Sequence, residues 1–198
     1  MTSSLFTLSL TSLVSLIHED DNIILQAPIG TPLKKTTPTR QVKFEHPSSG
    51  LISALNHLKS SQKTYPQLKA LVVAADGEEA GERFDVELEK LINTGWVSHS
   101  LYPLATVIPI VEKNYRFKSP EIAQLQGKFT LSRFAYLHQS QGKTIIECPL
   151  STSQIIALDW RCGALLAKLS QPQTPSSLSA DIPDITEEIA QKFLALLM

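Results

Sequence analysis

The sequence predicts an α+β protein built from two tandem copies of one small unit, each a three-stranded antiparallel sheet followed by three helices. Two observations carry that expectation. The first is internal repetition. Leu16-Ile17-His18 returns as Tyr136-Leu137-His138 after 120 residues, and Asn22-Ile23-Ile24-Leu25-Gln26-Ala27-Pro28 returns as Lys143-Thr144-Ile145-Ile146-Glu147-Cys148-Pro149 after 121. The one-residue difference is assigned to the turn, where added length costs little, and self-similarity at a fixed spacing marks a duplicated unit. The second is order: in both copies, strand-like segments precede apolar residues at helical spacing.

In the first copy, Phe6, Leu8 and Leu10 alternate with polar residues and Leu16-Ile17 extend the arm, so 6–17 reads as one strand. Residues 19–22 are its turn and 23–27 the second strand, stopped by Pro28, which has no N–H to donate. Residues 34–45 read as a third strand, placed at a sheet edge because it contains Pro38. A serine of Pro47-Ser48-Ser49 caps a helix carrying Leu51, Ile52, Leu55 and Leu58. A second helix covers 67–75 after Pro66, and Asp76-Gly77-Glu78-Glu79 is a solvated acidic turn. The third helix, 82–93, places Phe84, Leu88, Leu91 and Ile92 on one face and stops at Gly95. Trp96-Val97 and 101–110 form the arms of a wing, with Trp96 in its core.

Three strands, three helices and a wing are the pattern of a winged helix-turn-helix with an N-terminal sheet. The first unit is therefore set at 1–111, a linker at 112–127 and the second unit at 128–198. In the second unit the strands are 129–138, 143–148 and 153–158. Gly142 is free to take positive φ in the hairpin turn and Pro149 ends the ladder. Asp159 caps a helix with Ala164, Leu165 and Leu169 on one face, and Trp160 anchors its start. A short helix follows at 176–180, and a third at 184–198 turns Ile185, Ile189, Phe193 and Leu196 inward. The chain then stops before a second wing, and it reads as the front end of a longer protein.

Composition excludes several classes. Residues are 42% hydrophobic and 19% charged, enough to bury a core, and the net charge of −1 draws neither nucleic acid nor an anionic membrane. Residues 1–17 lack a basic start and a cleavage-like site, and no run of about 18 apolar residues occurs, so neither a secretory signal nor a membrane span is expected. Cys148 and Cys162 lack metal or redox spacing and read as small buried residues in a reducing, cytoplasmic setting. His18, His46, His57, His99 and His138 are scattered, and no zinc-protease, nucleophile-elbow, phosphate-loop or dinucleotide motif accompanies them. His18 and His138 read as residues ending equivalent strand arms. Neither catalytic nor metal-ligating residues are therefore assigned.

The stretch Leu131-Ser132-Arg133-Phe134-Ala135 and the arm ending Glu147-Cys148-Pro149-Leu150 resemble the N-terminal region of SagB-type, FMN-dependent azoline oxidases. More narrowly, the two-unit layout resembles the cyanobactin thiazoline oxidases of the ThcOx type. The likeness is best over 129–198, and Cys148 stands where that family is expected to carry serine. The resemblance implies tandem RiPP recognition elements, small winged-helix modules that hold precursor peptides. It also implies a following oxidase domain that uses FMN to convert thiazolines and oxazolines to thiazoles and oxazoles. FMN is implied for that domain, and no cofactor for the present residues.

In that family, the resemblance implies, the guest peptide lies between the third strand and the third helix. Carried over, the first groove is lined by Arg40, Gln41, Val42, Lys43 and Phe44, facing Arg83, Glu87, Lys90 and Leu91. The second is lined by Ser153, Gln154, Ile155, Ile156 and Ala157, facing Glu188 and Lys192. An edge strand has unpaired backbone groups that an extended peptide can take up, and Lys34, Lys35, Arg40 and Lys43 suit an acidic leader. The expected partners are thus a ribosomal precursor peptide, the oxidase domain and, in a homodimer, a second copy.

The bland reading of those basic residues is a solvated edge that resists aggregation. DNA binding is the rival for a winged helix, but 82–93 holds Glu82, Asp85, Glu87 and Glu89 against Arg83 and Lys90, a net of −2. The third helix of the second unit, with Asp184, Glu187 and Glu188 against Lys192, has the same net. Duplex DNA demands the opposite sign. A purely structural role is the remaining alternative, and it differs in one respect. Scaffold units hide their third strands in contacts, whereas a binding unit leaves that edge open.

Overall fold

The computed structural model describes residues 5–28, 39–110, 115, 117 and 125–198. Within them the chain forms a mixed α+β structure with two antiparallel sheets. A three-stranded sheet is a meander of β2 (Ser15–Glu19), β3 (Asn22–Pro28) and β4 (Thr39–Glu45), with β3 in the middle. A seven-stranded sheet contains β1 (Thr7–Leu10), β5 (Lys63–Thr64), β6 (Val97–Leu101), β7 (Ala105–Pro109), β8 (Tyr136–Ser140), β9 (Lys143–Glu147) and β10 (Ser153–Ala157), in the order β5-β1-β6-β7-β10-β9-β8. The helices are α1 (Ser49–Ser60), α2 (Tyr65–Asp76), α3 (Glu78–Asn93), α4 (Trp160–Lys168), α5 (Pro175–Ser179) and α6 (Glu187–Leu197). A meander of three strands precedes three helices in both halves.

The expected strand 6–17 is two strands in two sheets. Leu8 and Leu10 are buried in the large sheet, and the Thr11 N–H donates to the Trp96 carbonyl at 2.9 Å. A turn closed by the Val14 N–H on the Thr11 carbonyl then redirects the chain into β2. The expected arm 129–138 is likewise shorter. Residues 132–135 make a turn and pairing begins at Tyr136, with Phe134, Tyr136 and Leu137 about half exposed. In the expected strand 34–45, Lys34, Lys35 and Pro38 lie outside the described residues, and β4 is an edge of its sheet.

Register corrects the repeat. Leu16 pairs with Leu25 and Glu19 with Asn22; Leu137 pairs with Ile146 and Ser140 with Lys143. Both hairpins therefore close through two residues, at one uniform offset of 121. No residue is gained in the turn, and His18 corresponds to Gln139 rather than His138. In the second turn Gln141 (φ 50°) and Gly142 (φ 73°) both take left-handed backbone, the conformation of a type I′ turn.

Side-chain caps set most helix starts. Ser48 Oγ accepts the Leu51 N–H at 3.5 Å, Asp159 Oδ1 that of Arg161 at 2.7 Å, Thr174 Oγ1 that of Ser177 at 3.1 Å and Thr186 Oγ1 that of Ile189 at 3.2 Å. Gly77, at φ 87°, turns α2 directly into α3, so Glu78 and Glu79 are the first turn of a helix and not a free acidic loop. Acids favour that position because the helix N-terminus carries partial positive charge. At the other end of α3, the Trp96 N–H reaches the Leu91 carbonyl and the Gly95 N–H that of Ile92, both at 2.9 Å, with Gly95 at φ 75°. This is the αL termination that glycine permits. α6 begins at Glu187, later than the expected 184, because Asp184 takes φ 61° outside the helix.

Two apolar clusters form the core. One joins β3, α1, α2 and α3 around Leu25, Leu55, Leu68, Leu88 and Trp96. The other joins α4, α5 and α6 to the large sheet around Leu165, Leu169 and Phe193, and it includes Phe6 from the start of the chain. Phe117 packs against both, and Tyr115 and Leu125 are each 3% exposed, so these three residues between the repeats join the core, whereas Gln126 and Gly127 are exposed. The large sheet is continuous across the repeats, since β7 pairs with β10 over Ala105–Pro109. Trp160 stands at the start of α4 but is 65% exposed and anchors little. Cys148 and Cys162 are free thiols. Cys162 is buried, which pushes its thiol up to about 12, whereas Cys148 is only half-buried.

Candidate functional site: a groove beside an edge strand

Among the described residues β4 is paired on one side only, to β3. Alternation along it puts Val42 and Phe44 toward the core and leaves Gln41 and Lys43 exposed. α3 runs beside it, held by its own buried stripe of Phe84, Leu88, Leu91 and Ile92. Between β4 and α3 lies a groove of about 600 Å³. Its lining includes Val42, Phe44, Leu51, Val72, Ala80, Phe84 and Val86, with Lys43, Glu45, Arg83, Glu87 and Lys90 also on its walls.

The walls are charged but balanced. Lys43 meets Glu45 at 3.1 Å, Arg83 meets Glu79 at 2.9 Å and Lys90 meets Glu87 at 3.9 Å. These pairs are exposed and worth little in stability, so their members are available for exchange with charges of a guest. At one mouth of the groove His46 takes φ 45°, a left-handed backbone that turns the end of β4 into the α1 cap.

Val42, Lys43, Phe44, Arg83, Glu87 and Lys90 therefore meet around one groove. Arg40, Gln41 and Leu91 do not line it. The Arg40 guanidinium donates to the Thr94 carbonyl at 2.5 Å and the Gly95 carbonyl at 3.3 Å, and it covers the Trp96 ring at 4.1 Å. Arg40 thus fastens β4 to the carbonyl end of α3, where a cation is favoured. Leu91 is 2% exposed and belongs to the core. Sequence reasoning missed Val86, which is 65% exposed on the groove side of α3, together with the floor residues Leu51, Val72 and Ala80. Val86 was legible as an apolar residue off the buried stripe, three residues from Arg83 and four from Lys90.

The second set of residues stands differently. Ser153, Gln154, Ile155, Ile156 and Ala157 form β10, which has β9 on one side and β7 on the other. Ile155 pairs with both Ile146 and Val107. Glu188 and Lys192 pair with each other at 2.6 Å, one turn apart on α6, and the lysine holds the Glu188 carboxyl below its usual range. α6 packs on β6 and β7, and neither Glu188 nor Lys192 lines a cavity with β10 among those described.

α3 carries more acid than expected, since its true start adds Glu78 and Glu79. It holds six acids against two bases, a net of −4, the wrong sign for duplex DNA. No group of three or more His, Cys, Asp or Glu able to hold a metal occurs among the described residues, and no described helix is long and apolar enough to cross a membrane.

A family model described as the ThcOx helix-turn-helix domain matches residues 1–119, and one described as the cyanobactin oxidase ThcOx matches residues 129–198. The chain belongs to the ThcOx family. The two matches together make it the N-terminal region of a ThcOx-type oxidase. A comparison with curated proteins found no match. The groove beside β4 and one further cavity do not suit the FMN that the resemblance implies for the oxidase domain. The groove cations each face an acid, and among the described residues Glu147 is the one charged side chain lining a further apolar cavity of about 520 Å³ beside Phe129, Leu131 and Met198. A flavin phosphate calls for clustered, uncompensated donors.

Proposed function

We propose that this region docks the precursor peptide of a cytoplasmic, FMN-dependent azoline oxidase, delivering thiazoline- or oxazoline-bearing peptide for oxidation to thiazole or oxazole. The flavin is held by the oxidase domain, and these residues supply recognition. The observation that carries the reading is the one-sided pairing of β4 next to an apolar groove. An extended leader segment adds itself to β4 through backbone hydrogen bonds. Its alternate side chains enter the groove against Val86, Phe84 and Leu51, and its charges exchange with the pairs on Arg83 and Lys90. The structural reading describes the second repeat better, because its third strand is covered on both edges. Phe134, Tyr136 and Leu137, exposed at the β8 edge, suit packing on the oxidase domain or on a second copy.

The test is a heteronuclear NMR titration with a cyanobactin precursor peptide carrying its leader and core. Shifts are expected along 41–45 and 83–90. Val86→Asp puts a charge into the groove at a residue already exposed, so folding is retained while affinity falls about tenfold or more. A Val86→Asp protein that binds with undiminished affinity removes the groove from consideration.

A further inference from the structure

We infer that β7 is a resident guest strand, filling in cis the peptide slot of the second repeat, so that one chain offers one slot for an external peptide. The inference rests on the proposed recognition role of the groove and assigns that role to the first repeat alone.

Register supplies the argument. Leu25 and Ile146 are equivalent, each opposite the apolar residue of its hairpin's first arm. Across the sheet Leu25 pairs with Val42, and Ile146 pairs with Ile155. Ile155 is therefore the counterpart of Val42, and Gln154 and Ile156 are the counterparts of Gln41 and Lys43. On β4 the far edge is unpaired among the described residues, but on β10 that same edge carries β7 antiparallel over five residues, with Val107 opposite Ile155.

The helix side agrees. A guest in such a slot touches the third strand and the third helix together. β7 does both, since it pairs with β10 and packs on α6. Val107 is 3% exposed and belongs to the α4–α6 core cluster, where an anchoring guest side chain would lie. β7 is tethered on both sides: to β6 through the tight turn around Leu104, and at its end by the Ile110 N–H on the Thr152 carbonyl at 3.0 Å. An external strand competing for β10 must displace five residues of ladder and a buried side chain, whereas one joining β4 displaces, among the described residues, only exposed ion pairs.

Amide hydrogen exchange of the whole chain, with and without a synthetic cyanobactin leader peptide, decides the matter. Amides of β7 and β10 are expected to exchange as slowly as those of β3, through global unfolding, and peptide is expected to slow all three strands by one common factor, the stability that binding adds, while it slows 41–45 by more. Exchange in β7 and β10 about a hundredfold or more faster than in β3, or a slowing of 153–157 by peptide that exceeds the slowing of β3, overturns the inference. Slow exchange in β7 and β10 without any binding of the peptide leaves the resident strand standing and removes the proposed function instead.

Discussion

His99 offers a test of the seam between the repeats that no surface substitution can give. It sits in the middle of β6, fully buried, stacked on Phe117 at 3.7 Å, and neither ring nitrogen has a hydrogen-bond partner among the described residues. Burial pushes its pKa down from 6.5 to about 3. The ring is thus neutral in the folded state, while the unfolded chain takes up its proton below pH 6.5. A depressed folded value means stability that is fully present above the unfolded pKa and lost as pH falls from there toward the folded one. With about 1.36 kcal/mol per pH unit, the loss between about pH 7.5 and about pH 4.5 comes to about 2.7 kcal/mol. His99→Leu keeps an apolar group of similar size against Phe117 and removes the titration. Urea unfolding of both proteins at the two pH values isolates the term, because the carboxylates they share cancel in the difference. The variant is expected to gain about 2.7 kcal/mol on the native protein on going to the acid condition. Parallel pH dependence in the two proteins would show that folded His99 accepts a proton, and the description of a dry, unpartnered ring would be wrong.

Two further outcomes are expected. Leu88→Ala should cost about 2–5 kcal/mol in chemical denaturation, as a fully buried large-to-small change in α3, and a loss well under 1 kcal/mol would place α3 in another register. Gly50→Ala should destabilise by about 1–3 kcal/mol, since the added Cβ would stand 2.8 Å from the Val72 Cα and against the Asp76 carboxylate, where α1 and α2 cross. Unchanged stability there would mean the two helices have room to part.

What was legible in the sequence was mostly local. Ser48 and Asp159 were readable as caps because the cap is chemistry between residues two or three apart. The α3 stripe was readable because the core selects one face of a helix. Errors came where a local signal had two solutions. The 6–17 arm alternates across a change of sheet, since period-two burial says nothing about which sheet a strand joins. The two Leu-Ile-His-like triplets matched as letters and differ by one residue in register, because pairing is set by the turn and not by likeness. β7 against β10 left no trace in sequence, because backbone groups on a strand edge are the same for every residue but proline. For the site, β4 was legible as an edge, but Arg40 and Leu91 were assigned by position along an element, and their partners at Trp96 and in the core are settled by packing.

The pairing of β7 with β10 also governs how the chain can be divided. Cutting after the first repeat leaves Ala105–Pro109 paired to β6 but with its other edge bare, a strand bearing Val107 and Ile108, short of charge and ready to pair with its like. Removing the first repeat instead opens β10 and the α6 face together. Each half thus covers a strand edge of the other and protects it against clumping.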